Sequence, residues 1–379
     1  QVARMPCKCG VACGGTLRLA MASVRICMCM AVVARAAAVV VRVPLRRADQ
    51  PAFKRNGSGG AAAEVPLVDV YSVSFYAEVT LGTPRQTLKA ILRTRVSDSW
   101  FPLRGAVGEE DTSHFWFSPR ASSTHRPLNR RFSQYGVAGF WVQDTLTIGG
   151  LEAPRFPFGI ASRVDDNKYA RKAWDGAIGL GFGTSGVPTL LDTLRKAGQI
   201  SDPSFAVYLG RDGNSGELAL GGAADERSEG ARHYLNVRDG PEKWEALLDA
   251  VWVGDERCFT DASHAAFDPH ISYVTGPKHQ VRHIATQWRA EEDQDGWWQV
   301  GCDQEGRPLH FRINGRDYTF AKQDLVLKFD FGCYLMVSEG VDGEWILAAP
   351  FFRKFYVLFD AERRRLGISM AKHQASNFV

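Results

Sequence analysis

Two groups of residues in this 379-residue sequence have types and spacing that suggest chemical sites, and neither fits its site well. Cys7-x-Cys9 and Cys27-x-Cys29 would supply thiolates to a metal ion, but zinc sites use wider spacings, and no His or acidic residue lies nearby. The Gly-rich segment 179–183 would hold a phosphate only if a helix followed it, and no helical pattern does. The sequence therefore predicts no metal site and no cofactor.

The length and charge of the chain indicate its number of domains and argue against some classes of function. At about 100–200 residues per domain, the length suggests two domains. Residues 1–48 contain eight basic residues and no acid, whereas the rest of the chain holds 38 basic and 42 acidic residues. Because nucleic-acid binding requires a basic face, this mildly acidic body argues against a nucleic-acid partner. Uncharged apolar runs are also shorter than the roughly 18–20 residues of an easy membrane span.

Residues 1–64 have the composition of a targeting segment followed by a linker. The apolar stretch 26–41 is interrupted by Arg35, and 51–64 is rich in Gly and Ala. This pattern fits a secretory signal or signal-anchor, which leaves membrane anchoring open. It fits an Arg/Ala-rich organellar transit peptide as well, so both targeting interpretations stay open.

From residue 65 onward, short apolar and β-branched runs alternate with Gly, Pro and Asp. The runs predicted as strands are 73–80, 144–148, 205–209, 217–220, 311–314 and 355–359. Many short strands between turn signals are typical of an all-β body. Helical pattern is scarce, and its best candidate is 189–198, which ends in a Gly stop.

Six segments, in one order and with compatible spacing, resemble the pepsin family of aspartic peptidases. They are 75–86, 90–102, 132–136, 174–180, 265–277 and 345–368. The resemblance implies an all-β bilobal fold, with two lobes related by a pseudo-twofold axis around a central peptide cleft. It places the first lobe at 65–225 and the second at 226–379, after the 1–64 leader.

The family's catalytic centre joins two Asp-Thr-Gly loops, whose carboxylates share one proton. Here the second loop keeps its acid as Asp268, whereas the first triplet reads Arg93-Thr94-Arg95. Arg93 stays protonated wherever proteins survive, so it cannot accept a proton from water. We expect its guanidinium to pair with Asp268. Asp98 lies in the turn after the first loop, should point away from the axis and offers no substitute.

Further departures from the family cluster at the same centre. The two loop glycines are Arg95 and His270, and Pro269 replaces a Thr and lacks an N–H group. The hydroxyl residues that follow the glycines are Val96 and Ile271. The sequence therefore predicts a family member that is catalytically inactive or strongly impaired.

The resemblance also assigns cleft residues that this chain retains. The substrate-binding positions correspond to Tyr135, Gly136, Trp100, Thr94 and Ser272. Core packing is the competing interpretation of Trp100, and Tyr135 fits an ordinary strand position as well as a ligand contact. The flap around Tyr135 is shorter than the family's.

Cys302 and Cys333 fall where the family has a second-lobe disulfide, so the resemblance implies that they pair. A disulfide indicates an oxidising compartment, either endomembrane or extracellular. Cys258 lies where family members often have a small disulfide loop, but its partner is absent, and we expect a free thiol.

Three functions remain open at this point. The leading one is a non-catalytic, monomeric protein that binds a peptide or protein ligand in the inter-lobe cleft. The second is a functioning aspartic endopeptidase that acts at acidic pH. The third is a protein-interaction scaffold that uses its outer surface, with the cleft filled by Arg93, Arg95 and His270 and a contact formed by Trp297-Trp298.

Overall fold

The computed structural model describes residues 40–47, 75–107, 114–165, 169, 172–211, 215–240, 242–259, 263–329, 331–340 and 344–373. The leader cysteines and the predicted linker 51–64 lie outside these residues. Within the described residues the strands are β1 (Val41–Arg47), β2 (Phe75–Leu81), β3 (Gln86–Arg93), β4 (Trp100–Pro102), β5 (Arg126–Gln134), β6 (Val137–Ile148), β7 (Leu151–Val164), β8 (Gly176–Gly179), β9 (Ser204–Leu209), β10 (Ser215–Leu220), β11 (Ser228–Asn236), β12 (Glu245–Val253), β13 (Glu256–Phe259), β14 (Ser263–Phe267), β15 (Val274–Pro277), β16 (Glu291–Glu292), β17 (Trp298–Val300), β18 (Leu309–Ile313), β19 (Arg316–Phe320), β20 (Val326–Phe329), β21 (Gly332–Leu335), β22 (Val337–Gly340), β23 (Glu344–Leu347), β24 (Phe355–Asp360) and β25 (Arg365–Ala371). The helices are α1 (Leu190–Lys196), α2 (Lys278–Gln287), α3 (Lys322–Leu325) and α4 (Ala349–Lys354). This confirms the predicted all-β body.

The described strands form three sheets. The largest has 13 strands, in the order β11-β25-β24-β9-β10-β1-β2-β3-β8-β4-β7-β6-β5. A second sheet has the order β19-β18-β12-β14-β23-β15-β22, with β13 paired to β12, and a third has β16-β17-β21-β20. Side chains of β2 alternate between core and surface, as expected when one face of a strand is buried.

The same strand arrangement occurs once in each half of the body. In the first half β8 pairs in parallel with β3 and antiparallel with β4, and β4 pairs in parallel with β7. In the second half β23 pairs in parallel with β14 and antiparallel with β15, and β15 pairs in parallel with β22. This repeat matches the pseudo-twofold organisation that the resemblance implies. The predicted lobe boundary falls within a short 3₁₀ turn at Asp225–Arg227, and its exact position stays a prediction.

Strand β1 gives part of the leader a structural role that the composition did not indicate. It pairs antiparallel with β10 along its length and with β2 at its end. Val43 and Leu45 alternate with exposed residues and are buried in the core. Residues 41–47 are therefore an internal strand of the largest sheet.

Helix α1 was predicted from the sequence, whereas helix α2 was not. Helix α1 begins after Thr189, whose hydroxyl accepts from the backbone N–H of Asp192 in a capping box, and this confirms the helix predicted at 189–198. Helix α2 was not predicted, because Pro277 precedes it and no side chain caps it. It buries Val281 and Ile284 against the second half of the body.

A disulfide joins Cys302 to Cys333, as the resemblance implied. Cys258 is a free thiol, and burial raises its pKa to about 12, so it is unreactive at neutral pH. Both cysteine predictions for the body are therefore confirmed.

Trp244 lies at the junction between the two halves and connects their cores. Its buried ring contacts Phe182, Phe205 and Phe359, and its Nε1–H donates to the carbonyl of Leu180 at 2.8 Å. A fully buried aromatic side chain contributes about 3 kcal/mol through removal of apolar surface from water. Leu180 in turn donates its N–H to the carbonyl of Arg93 at the end of β3, so Trp244 is linked to that strand end.

Candidate active site

Arg93 and Asp268 lie at equivalent strand ends in the two halves. Arg93 is the last residue of β3, and its carbonyl accepts from Leu180 N at 2.9 Å. Asp268 follows β14, and its N–H donates to the carbonyl of Leu347 at 3.0 Å. Each side chain acts electrostatically on the pKa of the other, so the fold brings both into one site.

Asp268 is a buried carboxyl group, with 3% of its surface exposed. Burial raises its pKa, since the ionised form loses hydration, and this effect outweighs a hydrogen bond from the His270 N–H to Oδ1 at 3.1 Å. The positive charges of Arg93 and Arg95 also favour ionisation without reversing the shift.

The predicted ion pair between Arg93 and Asp268 is not formed in the part of the chain that the structure describes. The Arg93 guanidinium instead lies over the Tyr135 ring, with its central carbon 5.4 Å from the ring centroid. Cation–π contacts of this kind contribute about 0.5–2 kcal/mol. Burial lowers the pKa of Arg93, but an arginine so shifted still carries its charge at physiological pH. Its charge is therefore held by an aromatic face rather than by the dyad acid.

The flap is a tight hairpin whose turn is Tyr135–Gly136. Gln134 and Val137 pair across it, and the two turn residues have φ angles of 44° and 80°. Two-residue hairpin turns with positive φ match the twist of the strands, and Gly adopts this conformation without strain. Tyr135 is 71% exposed at the tip, where its ring reaches Arg93.

Trp100 belongs to an aromatic cluster behind the first loop. It is 3% exposed and packs against Tyr169 and Trp174, with centroid distances of 5.7 and 6.3 Å. Trp174 in turn contacts the His270 ring edge-on at 6.1 Å. Trp100 therefore supports the loop from the core side, and its assignment as a substrate-binding residue stays a prediction.

The two loops differ in their hydrogen-bonding groups, since Thr94 of the first loop corresponds to Pro269 of the second. Thr94 Oγ1 donates to the carbonyl of Phe267 at 2.6 Å, which ties the two loops together. Pro269 has neither a hydroxyl nor an N–H group with which to return that bond. Burial, and then the charges of Arg93 and Lys172, lower the pKa of His270 to about 3, so its ring is neutral. Ser272 is buried beside this loop.

Arg95 is engaged across the two halves. Its Nη2 donates to both carboxylate oxygens of Glu344 at 2.9 and 2.8 Å, and Lys243 Nζ binds the same carboxylate at 2.7 Å. In parallel, Glu242 Oε1 accepts from the Ser97 N–H and hydroxyl at 2.5 and 2.6 Å. These charged hydrogen bonds hold the first loop against the second half.

Asp98 makes no hydrogen bond or ion pair with Arg93 or Asp268 among the described residues. Its carboxylate accepts from the Ser185 hydroxyl at 2.6 Å, and burial raises its pKa. No group of His, Cys, Asp and Glu side chains suited to a metal ion occurs among the described residues. Sequence reasoning missed Glu242, Glu344 and Trp174 as parts of the site, since nothing local marks them as partners of the loops.

The strand repeat and the two facing loops agree with a comparison to known families. A family model described as eukaryotic aspartyl protease matches residues 74–371. The chain belongs to this family. It is 28% identical over 348 residues to renin of Canis lupus familiaris, which covers 84% of each chain. It is 27% identical over 316 residues to gastricsin of Rattus norvegicus, covering 78% of this chain and 80% of that protein. Cathepsin E-B of Xenopus laevis is 27% identical over 340 residues, covering 85% of each chain.

In this aspartyl protease homologue, the side chain at the end of β3 is that of Arg93, a permanent cation. Family chemistry requires one carboxylate to act as base towards water while the other holds the proton. Asp268 meets one of these requirements, and Arg93 meets neither. The site therefore combines one carboxyl group with one cation, and the assignment of Arg93 and Asp268 to the two dyad positions stays a prediction.

Asp268→Asn is expected to stabilise the protein near pH 7 and to change it little near pH 4. Because the folded-state pKa of Asp268 is raised, its contribution to stability is present below the unfolded pKa and is lost as pH rises through the folded pKa. Asn keeps an oxygen for the His270 N–H and cannot ionise. We expect a gain at pH 7 larger than the about 0.5 kcal/mol of an ordinary surface substitution, measured by urea unfolding at both pH values.

Asp239→Asn is the matched control for this experiment. Its side chain is fully exposed, so we expect changes within about 0.5 kcal/mol at both pH values. An equal gain at both pH values in Asp268→Asn, or a loss at pH 7, would show that ionisation of Asp268 does not oppose folding.

Proposed function

We propose that this chain is a catalytically inactive, or strongly impaired, member of the aspartyl protease family that binds peptides in the cleft between its lobes. The observation that carries the proposal is Arg93, which occupies the end of β3 opposite Asp268 and is covered by Tyr135. A second carboxylate is the one group that the family reaction cannot lack. The chain offers a guanidinium in its place.

Three features of the surrounding site support loss of catalysis over a displaced active site. Asp98 is turned towards Ser185, so it does not supply the missing acid. The hydrogen-bonded ion pair with Glu344 holds the Arg95 side chain in the loop. His270, whose pKa lies near 3, is a poor base for neutral or mildly acidic solution.

Peptide binding is supported by the parts of the cleft that the chain keeps. The hairpin of β5 and β6 still ends in an aromatic residue over the first loop, and Tyr135 at its tip is largely exposed. The bond from Thr94 to Phe267 still closes the cleft floor. We infer a monomeric protein whose ligand is a peptide or an extended protein segment, with no cofactor.

The disulfide supports an oxidising location, either endomembrane or extracellular, because such bonds persist there. Among the described residues, no helix is long and apolar enough to cross a membrane. Import into an organelle through the Arg/Ala-rich leader is the alternative location.

The test is digestion of an unfolded protein at acidic pH by the full chain, with pepsin as the positive control. We expect at least about 10³-fold less cleavage than with pepsin, since general acid–base catalysis contributes roughly 10²–10⁴-fold. Folding is checked by circular dichroism at the assay pH. Cleavage that a statine-type inhibitor abolishes would overturn the proposal in favour of a functioning aspartic endopeptidase.

Binding of the same inhibitor, measured by calorimetry, separates the remaining alternatives. A folded chain that does not cleave but binds a statine-type or other extended peptide supports a cleft-binding protein. A folded chain that binds neither supports a scaffold that acts through its outer surface.

A further inference from the structure

Arg93 is half-buried and forms no ion pair among the described residues, although Asp268 and Glu242 attract its charge at longer range. No hydrogen-bond acceptor contacts its guanidinium among the described residues, whereas Arg95, two residues away, has both oxygens of Glu344. Burying a charge without a hydrogen-bonded partner is unfavourable, so such groups are normally paired. The unpaired state of Arg93 therefore indicates a site that is completed by something outside the chain.

Tyr135 covers Arg93 in a way that leaves its donors available. The central guanidinium carbon lies over the ring, 5.4 Å from its centroid, and this contact uses none of the N–H donors, which lie in the guanidinium plane. Tyr135 is largely exposed at the tip of a hairpin, so a ligand can approach beside it. The arrangement matches the planar, two-point contact that guanidinium makes with a carboxylate.

Neighbouring groups add one further donor and a second positive charge. Trp174 is buried, and in the described part of the chain its Nε1–H has no acceptor, although the ring contacts His270. His270 is neutral, and Lys172 acts on it as a second nearby positive charge.

We propose that Arg93 is a carboxylate-binding residue, which selects peptides carrying an acidic group where a peptidase would hold the scissile bond. The group is an Asp or Glu side chain, or the carboxylate at the end of a peptide. This inference rests on the proposed function, since it assumes that peptides enter the cleft. It replaces the proton chemistry of the first loop with recognition of an anion.

The test is calorimetry of the full chain at pH 6 with three acetylated octapeptides of one sequence. The first has a central Glu and an amidated end, the second a central Gln and an amidated end, and the third a central Gln and a free carboxylate. We expect the first or the third to bind at least about tenfold more tightly than the second, because hydrogen bonds to charged groups are the stronger ones. Which of the two binds identifies the source of the carboxylate.

Arg93→Gln should remove this preference, and Arg93→Lys should keep part of it, since an ammonium retains the charge without the planar fork. Arg131→Gln is the matched control, because it removes the same charge from an exposed position on the flap strand β5. We expect Arg131→Gln to change the preference by less than about twofold. A preference that survives in Arg93→Gln would overturn the assignment of Arg93.

The outcomes separate this inference from the proposed function. Equal binding of all three peptides by the wild-type chain overturns carboxylate selection and leaves peptide binding intact. Absence of binding by all three overturns both. The wild-type comparison decides the inference even if a variant fails to fold.

Discussion

Arg93→Asp alone is expected to leave acid proteolysis within about tenfold of the wild-type background. The substitution supplies a second carboxylate but none of its surroundings. Pro269 returns no hydrogen bond to the first loop, and His270 fills the position where a glycine would let the backbone approach the dyad. Two carboxylates without positioned donors do not share a proton in the geometry that activates water.

Restoring both loops together is expected to raise the rate at least about 100-fold above Arg93→Asp. The six changes are Arg93→Asp, Arg95→Gly, Val96→Ser, Pro269→Thr, His270→Gly and Ile271→Thr. Loss of Arg95 is tolerable, because Lys243 still binds Glu344 at 2.7 Å. Initial rates on an unfolded protein at acidic pH measure the difference.

Asp268→Asn, added to either variant, is the control for dyad chemistry. Any activity that depends on the two carboxylates must disappear in it, whereas activity from a contaminant must persist. Vigorous proteolysis by Arg93→Asp alone, abolished by the added Asp268→Asn, would contradict the view that the loops have lost their supporting groups.

Gly179→Ala is expected to destabilise the protein by at least about 3 kcal/mol or to prevent folding. A Cβ atom at Gly179 would overlap the carbonyl group of Ser97 and lie 2.7 Å from Asp98 N. Those atoms are backbone, held by the bonds of Ser97 to Glu242 and of the Gly179 N–H to the Ser99 hydroxyl. The loop therefore cannot move aside without breaking the hydrogen bond between Ser97 and Glu242 of the second half.

Gly183→Ala provides the comparison within the same Gly-rich segment. Its Cβ atom would meet only the Thr189 side chain at 3.2 Å and the Val187 carbonyl at 3.8 Å. We expect a change within about 1 kcal/mol. Urea unfolding of both variants measures the contrast, and equal losses would mean that the close approach of Gly179 to the loop is not what requires a glycine there.

Local patterns in the sequence predicted the all-β class, six strand runs and helix α1, because the information needed for these was local. The run 205–209 is apolar and β-branched and lies in β9, and Thr189 with Asp192 specifies the start of α1. Strand β1 was not predicted, since its seven residues lie in a basic segment and their role depends on pairing with β10, 169 to 179 residues further along the chain. Pairing partners at that separation leave no local signal.

The site illustrates the same limit. The family pattern points to the substituted residues of the two loops, and their roles in the dyad stay predictions. It did not identify what the new side chains contact: Arg93 was expected to pair with Asp268 and lies over Tyr135 instead. Arg95 finds Glu344, 249 residues further along the chain. A charge in a sequence shows that a partner is needed, but the choice among many acids depends on the folded geometry.

The contacts of Arg95 with Glu344 and of Ser97 with Glu242 have a consequence for binding kinetics. They fix the spacing of the two cleft walls before any ligand arrives, so no slow closure of the lobes need accompany entry. Association rates should then differ little among ligands and lie near the 10⁵–10⁷ M⁻¹s⁻¹ typical of preformed sites. Differences in affinity would arise from how long each ligand stays bound.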